Sequence, residues 1–482
     1  MRGYIKSLFI KCRQMEGYKM AKDPRVIKGI VTRMLRSVDG KTEEEQEQTI
    51  ERIISYKAKA IEPLGRALVD GGSFQMRMVA AICLGQLGHP GGIKPLMHAL
   101  TDSSINVQRV AAEALISIGE PAIPRLVEGL EHEDARVRRW CAYILGRIKR
   151  KSAARYLINR VYRETGEVQR AIVIALGELG SKRAQPILLD LLRNSPNIEI
   201  QRCAAEALGK VGDRKAVPAL IEGLESASYE VRKASSEALV RIGADAVSGL
   251  TRALKHPLQS VRNTAARALG RLQDRRAVKG LIKALKDENV QVRQSVAQAL
   301  GRIGDRSAFR HLSQLLHDPN HEVRFSAVMA LVSVGGSMAA SLLREALHDS
   351  DWLIRLTAAQ GLGQLGDTNA VDLLCRALRD LEWSVRFHAA RALGQIGDRR
   401  ALVSLIRALF DSHIQVKQAA IEALGQLGDM RAVDALRQVA AREPAELRAM
   451  AMKAINKILQ QNVPRKRRAK RSKTAASAVG SG

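Results

Sequence analysis

The chain has 482 residues, of which 46% are hydrophobic, 26% charged and only 3% aromatic. That composition excludes an intrinsically disordered protein and calls for a core of Leu, Ala, Val and Ile. The net charge is +29, and no uninterrupted apolar run approaches the ~18–20 residues of a membrane span.

At the N-terminus, Arg2, Lys6 and Lys11 flank the segment Tyr4–Ile10, which is too short and interrupted for the apolar region of a signal peptide. Residues 1–20 read as a loose leader or an upstream start, and 21–60 as a helical N-terminal cap. The five cysteines (Cys12, Cys83, Cys141, Cys203, Cys375) are scattered and form no Cys-x-x-Cys. This predicts inert, buried thiols in a reducing compartment.

From residue 61 to 460 a phrase recurs, Val-Arg-x-x-Ala-Ala-x-Ala-Leu-Gly-x-x-Gly-Asp. Its first residue, position 0, falls at Met76, Val107, Val137, Val168, Ile200, Val231, Val261, Val292, Val323, Ile354, Val385, Val416 and Leu447. Thirteen copies at a period of about 31 residues, without insertions, predict an all-α array of two-helix units. In the unit around Val231, the first helix carries Val217, Leu220, Ile221 and Leu224, and the second carries Val231, Ser235, Leu239 and Ile242. Gly243 is placed to end the second helix in the left-handed conformation, as are Gly88, Gly119, Gly180, Gly212, Gly304, Gly335, Gly366, Gly397 and Gly428. Such pairs bury their apolar faces only by stacking on neighbours.

Two polar columns read as structural. Position +1 holds Arg77, Arg138, Arg232, Arg262, Arg293, Arg324, Arg355, Arg386 and Arg448, and position −5 holds Asp102, Asp287, Asp318, Asp349, Asp380 and Asp411. An aspartate near a helix start, facing an arginine of the neighbouring repeat, makes a ladder. The face opposite the core comprises positions −2, +2 and +6, with +10 at its edge. There Arg109, Arg139, Arg170, Arg202 and Lys233 occupy +2, and Lys210, Arg241, Arg271 and Arg302 occupy +10. These are candidate anion-binding residues, diluted by Glu113, Glu206 and Glu237 at +6; a merely solvated face is the alternative.

Later copies differ. Phe325 and Met329 stand at +2 and +6, Trp352 and Leu356 at −2 and +2, and Trp383 and Phe387 repeat that pair. Because these columns read as polar elsewhere, the six residues are a candidate protein-binding surface, with a core role as the alternative. Residues 461–482 lose the periodicity. Arg465, Lys466, Arg467 and Arg468 lead a basic run that predicts a disordered, anion-binding tail.

The phrases VRQSVAQALGRIGD (292–305) and VRFHAARALGQIGD (385–398) resemble HEAT repeats, in the short regular class named after phycobilisome-lyase HEAT-like proteins. The resemblance implies a right-handed α-solenoid, with first helices outside and second helices lining a concave groove. Some relatives are iron hydroxylases that bind metal through His-Glu pairs at +2 and +3. Here that register reads, for example, Arg109-Val110, Gln294-Ser295 and Phe387-His388, so no such metal site is expected. Bilin lyase-type subunits are a further relative by fold. No Walker loop or nucleophile elbow occurs. The sequence therefore predicts a non-enzymatic, cofactor-free, cytoplasmic scaffold that binds a protein partner (nuclear if eukaryotic). Sequence-independent nucleic-acid binding through the basic groove and tail is the alternative, and a bilin lyase-type role a more remote one.

Overall fold

The computed structural model describes residues 23–70 and 72–462. The leader and the basic tail with Arg465, Lys466, Arg467 and Arg468 lie outside the described residues. The fold is an all-α solenoid, without a strand among the described residues. It opens on two helices, Pro24–Arg36 and Glu43–Ser55, the second started by a capping box between Thr42 and Glu45. Thirteen helix pairs follow. The chain divides into two compact units, Met1–Gly249 and Leu250–Gly482, with the boundary inside the Val247–Ala253 helix.

Each pair has the same local logic. A short first helix is entered through a 3-10 turn, whose start is capped by an aspartate where the Gly-Asp phrase or its Gln273-Asp274 variant supplies one. Asp274, Asp305, Asp398 and Asp429 accept the backbone N–H two residues on at 2.8–3.0 Å. The second helix is longer, usually 14 residues, as in Gln259–Leu272, Val290–Ile303, Trp352–Leu365 and Trp383–Ile396. Its positions 0, +4 and +8 are buried, for instance Val385, Ala389 and Leu393.

Successive second helices touch through small residues. A Cβ added at Gly301 would lie 2.9 Å from the Cα of Ala330, and one at Gly394 would lie 2.8 Å from that of Ala423. The Ala-Leu-Gly in the repeated phrase is thus a contact code: the glycine at +9 admits the alanine at +7 of the next repeat. One interface inverts it. Val332 stands at +9, and Gly361 at +7 receives it, with Val332 Cγ2 2.7 Å from where a Cβ would be.

The ladder is present. Arg262, Arg293, Arg324, Arg355 and Arg386 each place Nε on the aspartate of the next repeat at 2.7–2.8 Å, and Nη2 on its second oxygen. Nη1 of the same arginines donates to two carbonyls of the preceding turn, as Arg355 does to Asp349 and Ser350. In the first unit, Arg77 pairs with Asp102 and Arg138 with Glu164. Where glutamine replaces arginine, as at Gln108 and Gln201, its amide still donates to a turn carbonyl. The ladder is not continuous: Arg232 ties only its own turn, through the carbonyls of Ser226 and Ala227, because His256 stands where the next repeat would offer an aspartate, and Arg448 is exposed in the last repeat, with no repeat after it to pair with.

The helix ends depart from expectation in places. Gly88, Gly180, Gly212, Gly304, Gly366, Gly397 and Gly428 are left-handed, but Gly335 lies inside its helix and Gly336 turns the chain at φ 49°. Two adjacent glycines let the helix run one residue further before the chain turns. Lys149 and Gln273 adopt the left-handed conformation without being glycine. The stretch His321–Ala346 is long and apolar enough to cross a membrane by length and composition, but half of it is buried and it breaks at Gly336. Of the described thiols, Cys83, Cys141 and Cys203 are buried while Cys375 is half-buried, and burial pushes Cys141 up to about 12.

Candidate functional site

The site is the face of the second helices turned away from the first helices, and it is described within each unit separately. In the first unit three of its seven candidate cations are already paired. Arg202 is held by Glu199 and Glu206, Arg170 by Glu167 at 2.5 Å and Glu199 at 3.4 Å, and Lys210 by Glu178 at 2.6 Å. Hydrogen bonding to Glu199 foremost raises the Arg202 pKa, against its burial, and the Lys210 hydrogen bond holds Glu178 below the usual carboxylate range. Arg170, Arg202 and Lys210 are thus not free anion-binding cations, because the acidic +6 and +10 positions and the first-turn glutamates neutralise them. Arg139 lies 5.9 Å from the Trp140 ring, a cation–π distance. Arg109, Lys233 and Arg241 are exposed, and none is in an ion pair.

The second unit places Arg271 and Arg302 together. With Arg267 they line a cavity of about 430 Å³, shared with Asn263, Gln291, Gln294, Ser295, Gln298 and Glu322. All three arginines are exposed. The ladder arginines of the same two helices, Arg262 and Arg293, are instead committed to Asp287 and Asp318. In these two repeats the +1 arginines are structural and the +6 and +10 arginines are available.

Further along the same unit stand the apolar residues. Trp352 is 44% exposed, Trp383 39% and Met329 49%, while Phe325, Leu356 and Phe387 are half-buried. Trp383 stacks on His413 with ring centroids 4.1 Å apart and planes 4° from parallel. Phe387 meets His388 edge-on at 5.1 Å, with Arg391 5.6 Å above its ring. Burial lowers the His388 pKa, with the Arg391 charge adding to the effect.

Two features escaped the sequence reading. The −2 column is not polar elsewhere: Phe74, Ile105, Ile198, Tyr229 and Ile414 occupy it and are exposed like the tryptophans. Position −2 is the first residue of the second helix, and the apolar side chains there stay exposed and outside the core. Leu381, two residues before Trp383, is 96% exposed and is a further apolar side chain left in water. Its signal was available, since position −4 holds Ser103, Glu288, Ser350 and Ser412 in other copies.

No group of three or more His, Cys, Asp or Glu side chains that could hold a metal ion occurs among the described residues. A family model described as HEAT repeats matches residues 61–135, 123–197, 186–257, 247–332, 309–384, 339–413 and 375–456. No curated protein matches the chain. Among solved structures, Kap121p bound to Ste12p is similar at 11% identity and a TM-score of 0.63, covering 91% of this chain and 57% of that one. Kap95p, in a structure with RanGDP, is similar at 14% identity and a TM-score of 0.52, covering 98% of this chain and 79% of that one. At these identities the likeness bears on the fold, and the chain spans little more than half the length of Kap121p.

Proposed function

The chain belongs to the HEAT-repeat family, and from that premise we propose that it is a non-enzymatic cytoplasmic scaffold that binds a protein partner on the inner face of its second helices. The observation that carries this reading is the exposed strip of Met329, Trp352, Leu381 and Trp383, beside half-buried Phe325, Leu356 and Phe387, in one unit. Large aromatics left in water are the usual anchors of protein interfaces, and the second unit alone sets two tryptophans beside Met329 and Leu381. Kap121p with Ste12p is a solenoid of similar fold bound to a protein, which supports the same use here. The unbroken 31-residue phrase supports a place in the short class named after phycobilisome-lyase HEAT-like proteins, as scaffold and not as lyase.

The experiment is affinity capture of the tagged chain with and without nuclease. Partners that survive nuclease support the reading, and loss of all partners contradicts it in favour of nucleic-acid binding. Trp383→Ala is expected to weaken the captured complex by about 2 kcal/mol or more, roughly thirtyfold. Its cost in stability should stay near 1 kcal/mol, the worth of the lost ring stack with His413. Unfolding by several kcal/mol in a thermal melt would instead make Trp383 a core residue.

A further inference from the structure

The cavity between the Gln259–Leu272 and Val290–Ile303 helices joins two kinds of group in one place. Arg267, Arg271 and Arg302 bring three cations with no ion-pair partner, and Asn263, Gln294 and Gln298 bring three amides. All six come from the +2, +6 and +10 columns of two successive repeats, which hold no carboxylate in these repeats. Glu322 stands at the rim as the single acidic lining residue. The amides have little to do within the fold. Gln298 reaches only the Ser326 hydroxyl, at 3.3 Å, and Oδ1 of Asn263 is buried with no hydrogen-bond partner.

A primary amide presents a donor and an acceptor side by side, which is the complement of a peptide group. Guanidinium groups next to such amides suit carboxylates, which they take in bidentate fashion. The same face then changes character, repeat by repeat. Phe325 and Met329 follow the cavity, then Trp352 and Leu356, then Trp383 and Phe387. Packed helices lie about 8–10 Å apart and an extended chain advances about 3.3 Å per residue, so one repeat corresponds to about three residues of a bound strand.

Resting on the scaffold reading above, we propose that this cavity holds acidic side chains of an extended segment of the partner protein, whose apolar side chains follow at intervals of about three residues and dock on the next three repeats. The charge of the pocket selects the segment, and the apolar strip supplies most of the affinity. The arginines steer the encounter and set the register, as charges at an interface do.

The test uses the full chain and fluorescent synthetic peptides of about fifteen residues, five repeats at three residues each. One peptide carries two glutamates and then leucine or phenylalanine at every third position; a second has that order reversed. Lysine-for-glutamate versions and a single-stranded RNA of similar length complete the set. One order of the acidic peptide is expected to bind about tenfold or more tightly than its lysine version. The double variant Arg271→Glu with Arg302→Glu should reverse that preference while melting like the parent, because both side chains are exposed and outside the ladder. Equal binding of the glutamate and lysine peptides, lost in Trp383→Ala, overturns the acidic pocket and leaves the scaffold intact. Binding of RNA alone overturns both. Absence of any binding at millimolar peptide overturns the proposal as well.

Discussion

Arg355→Ala is expected to destabilise its region of the array by about 3–5 kcal/mol, the cost of leaving a largely buried charge without its partner. The side chain makes four hydrogen bonds, two to Asp380 at 2.7 and 2.8 Å and two to the carbonyls of Asp349 and Ser350 at 2.9 and 3.0 Å. Its removal frees a turn and strips the next repeat of its tie. Arg271→Ala, on an exposed side chain of the same residue type, should change stability by no more than about 0.5 kcal/mol. Urea unfolding of the two variants makes the comparison. Acid should act on the same ladder. Burial pushes the Asp349, Asp380 and Asp411 carboxyls up, but the hydrogen bonds from Arg324, Arg355 and Arg386, the backbone N–H groups and the arginine charges outweigh it, and all three lie below the ordinary carboxylate value. A carboxyl whose folded pKa is depressed stabilises the fold fully above its unfolded value of about 3.9, and loses that contribution as the pH falls through the lower folded value. The wild-type chain should therefore lose stability below about pH 4, and Arg355→Ala should lose less than its parent over that range.

The second large effect is expected where the helix-contact code is inverted. Gly361→Ala would set a Cβ 2.7 Å from Val332 Cγ2 and 3.1 Å from Leu343 Cδ1. Overfilling of this kind costs about 1–3 kcal/mol. Adding Val332→Gly recreates the glycine-at-+9, alanine-at-+7 pair that Gly363 and Ala392 make at the next interface, and the double variant should return to near-parental stability. Gly394→Ala would instead meet the backbone of Ala423, with 2.8 Å to its Cα. No side-chain trimming at Ala423 relieves that contact, so its loss should persist in every double variant there. Melting temperatures of the four variants decide it. If Gly361→Ala is neutral, the second helices are not in the contact described.

The period, the two-helix unit and the ladder were legible in the sequence because each is repeated: a residue that recurs every 31 positions, such as Arg355 against Asp380, averages out local noise. The contact code was written in the same phrase but read only as composition, since nothing in one copy says that Gly301 faces Ala330. Gly335 was misplaced because two glycines in succession leave the turn undetermined by one residue. Sites were less legible, for a physical reason. Charge at a column says nothing of whether a neighbour has already neutralised it, and Arg202 and Arg302 look alike until Glu199 and Glu206 are seen beside one of them. The grouping of Arg267 with Arg271, Arg302 and the amides depends on which columns of adjacent repeats face each other, and the sequence shows that only once the stacking is known. The aromatic strip was singled out because its columns read as polar elsewhere, a reason that fails at −2, where Phe74, Ile105, Ile198, Tyr229 and Ile414 are exposed as well.

That strip carries the central claim, and hydroxyl-radical footprinting of the chain with its nuclease-resistant partner tests it most directly. Met329, Trp352 and Trp383 are exposed and readily oxidised, and Tyr162, Met338 and Met430 are equally exposed positions outside the strip. The account predicts that the partner protects the first three and leaves the second three oxidising at their free rate. Protection of Tyr162, Met338 or Met430 with full oxidation of Trp352 and Trp383 would contradict it, and would place the partner somewhere other than the exposed face of these second helices.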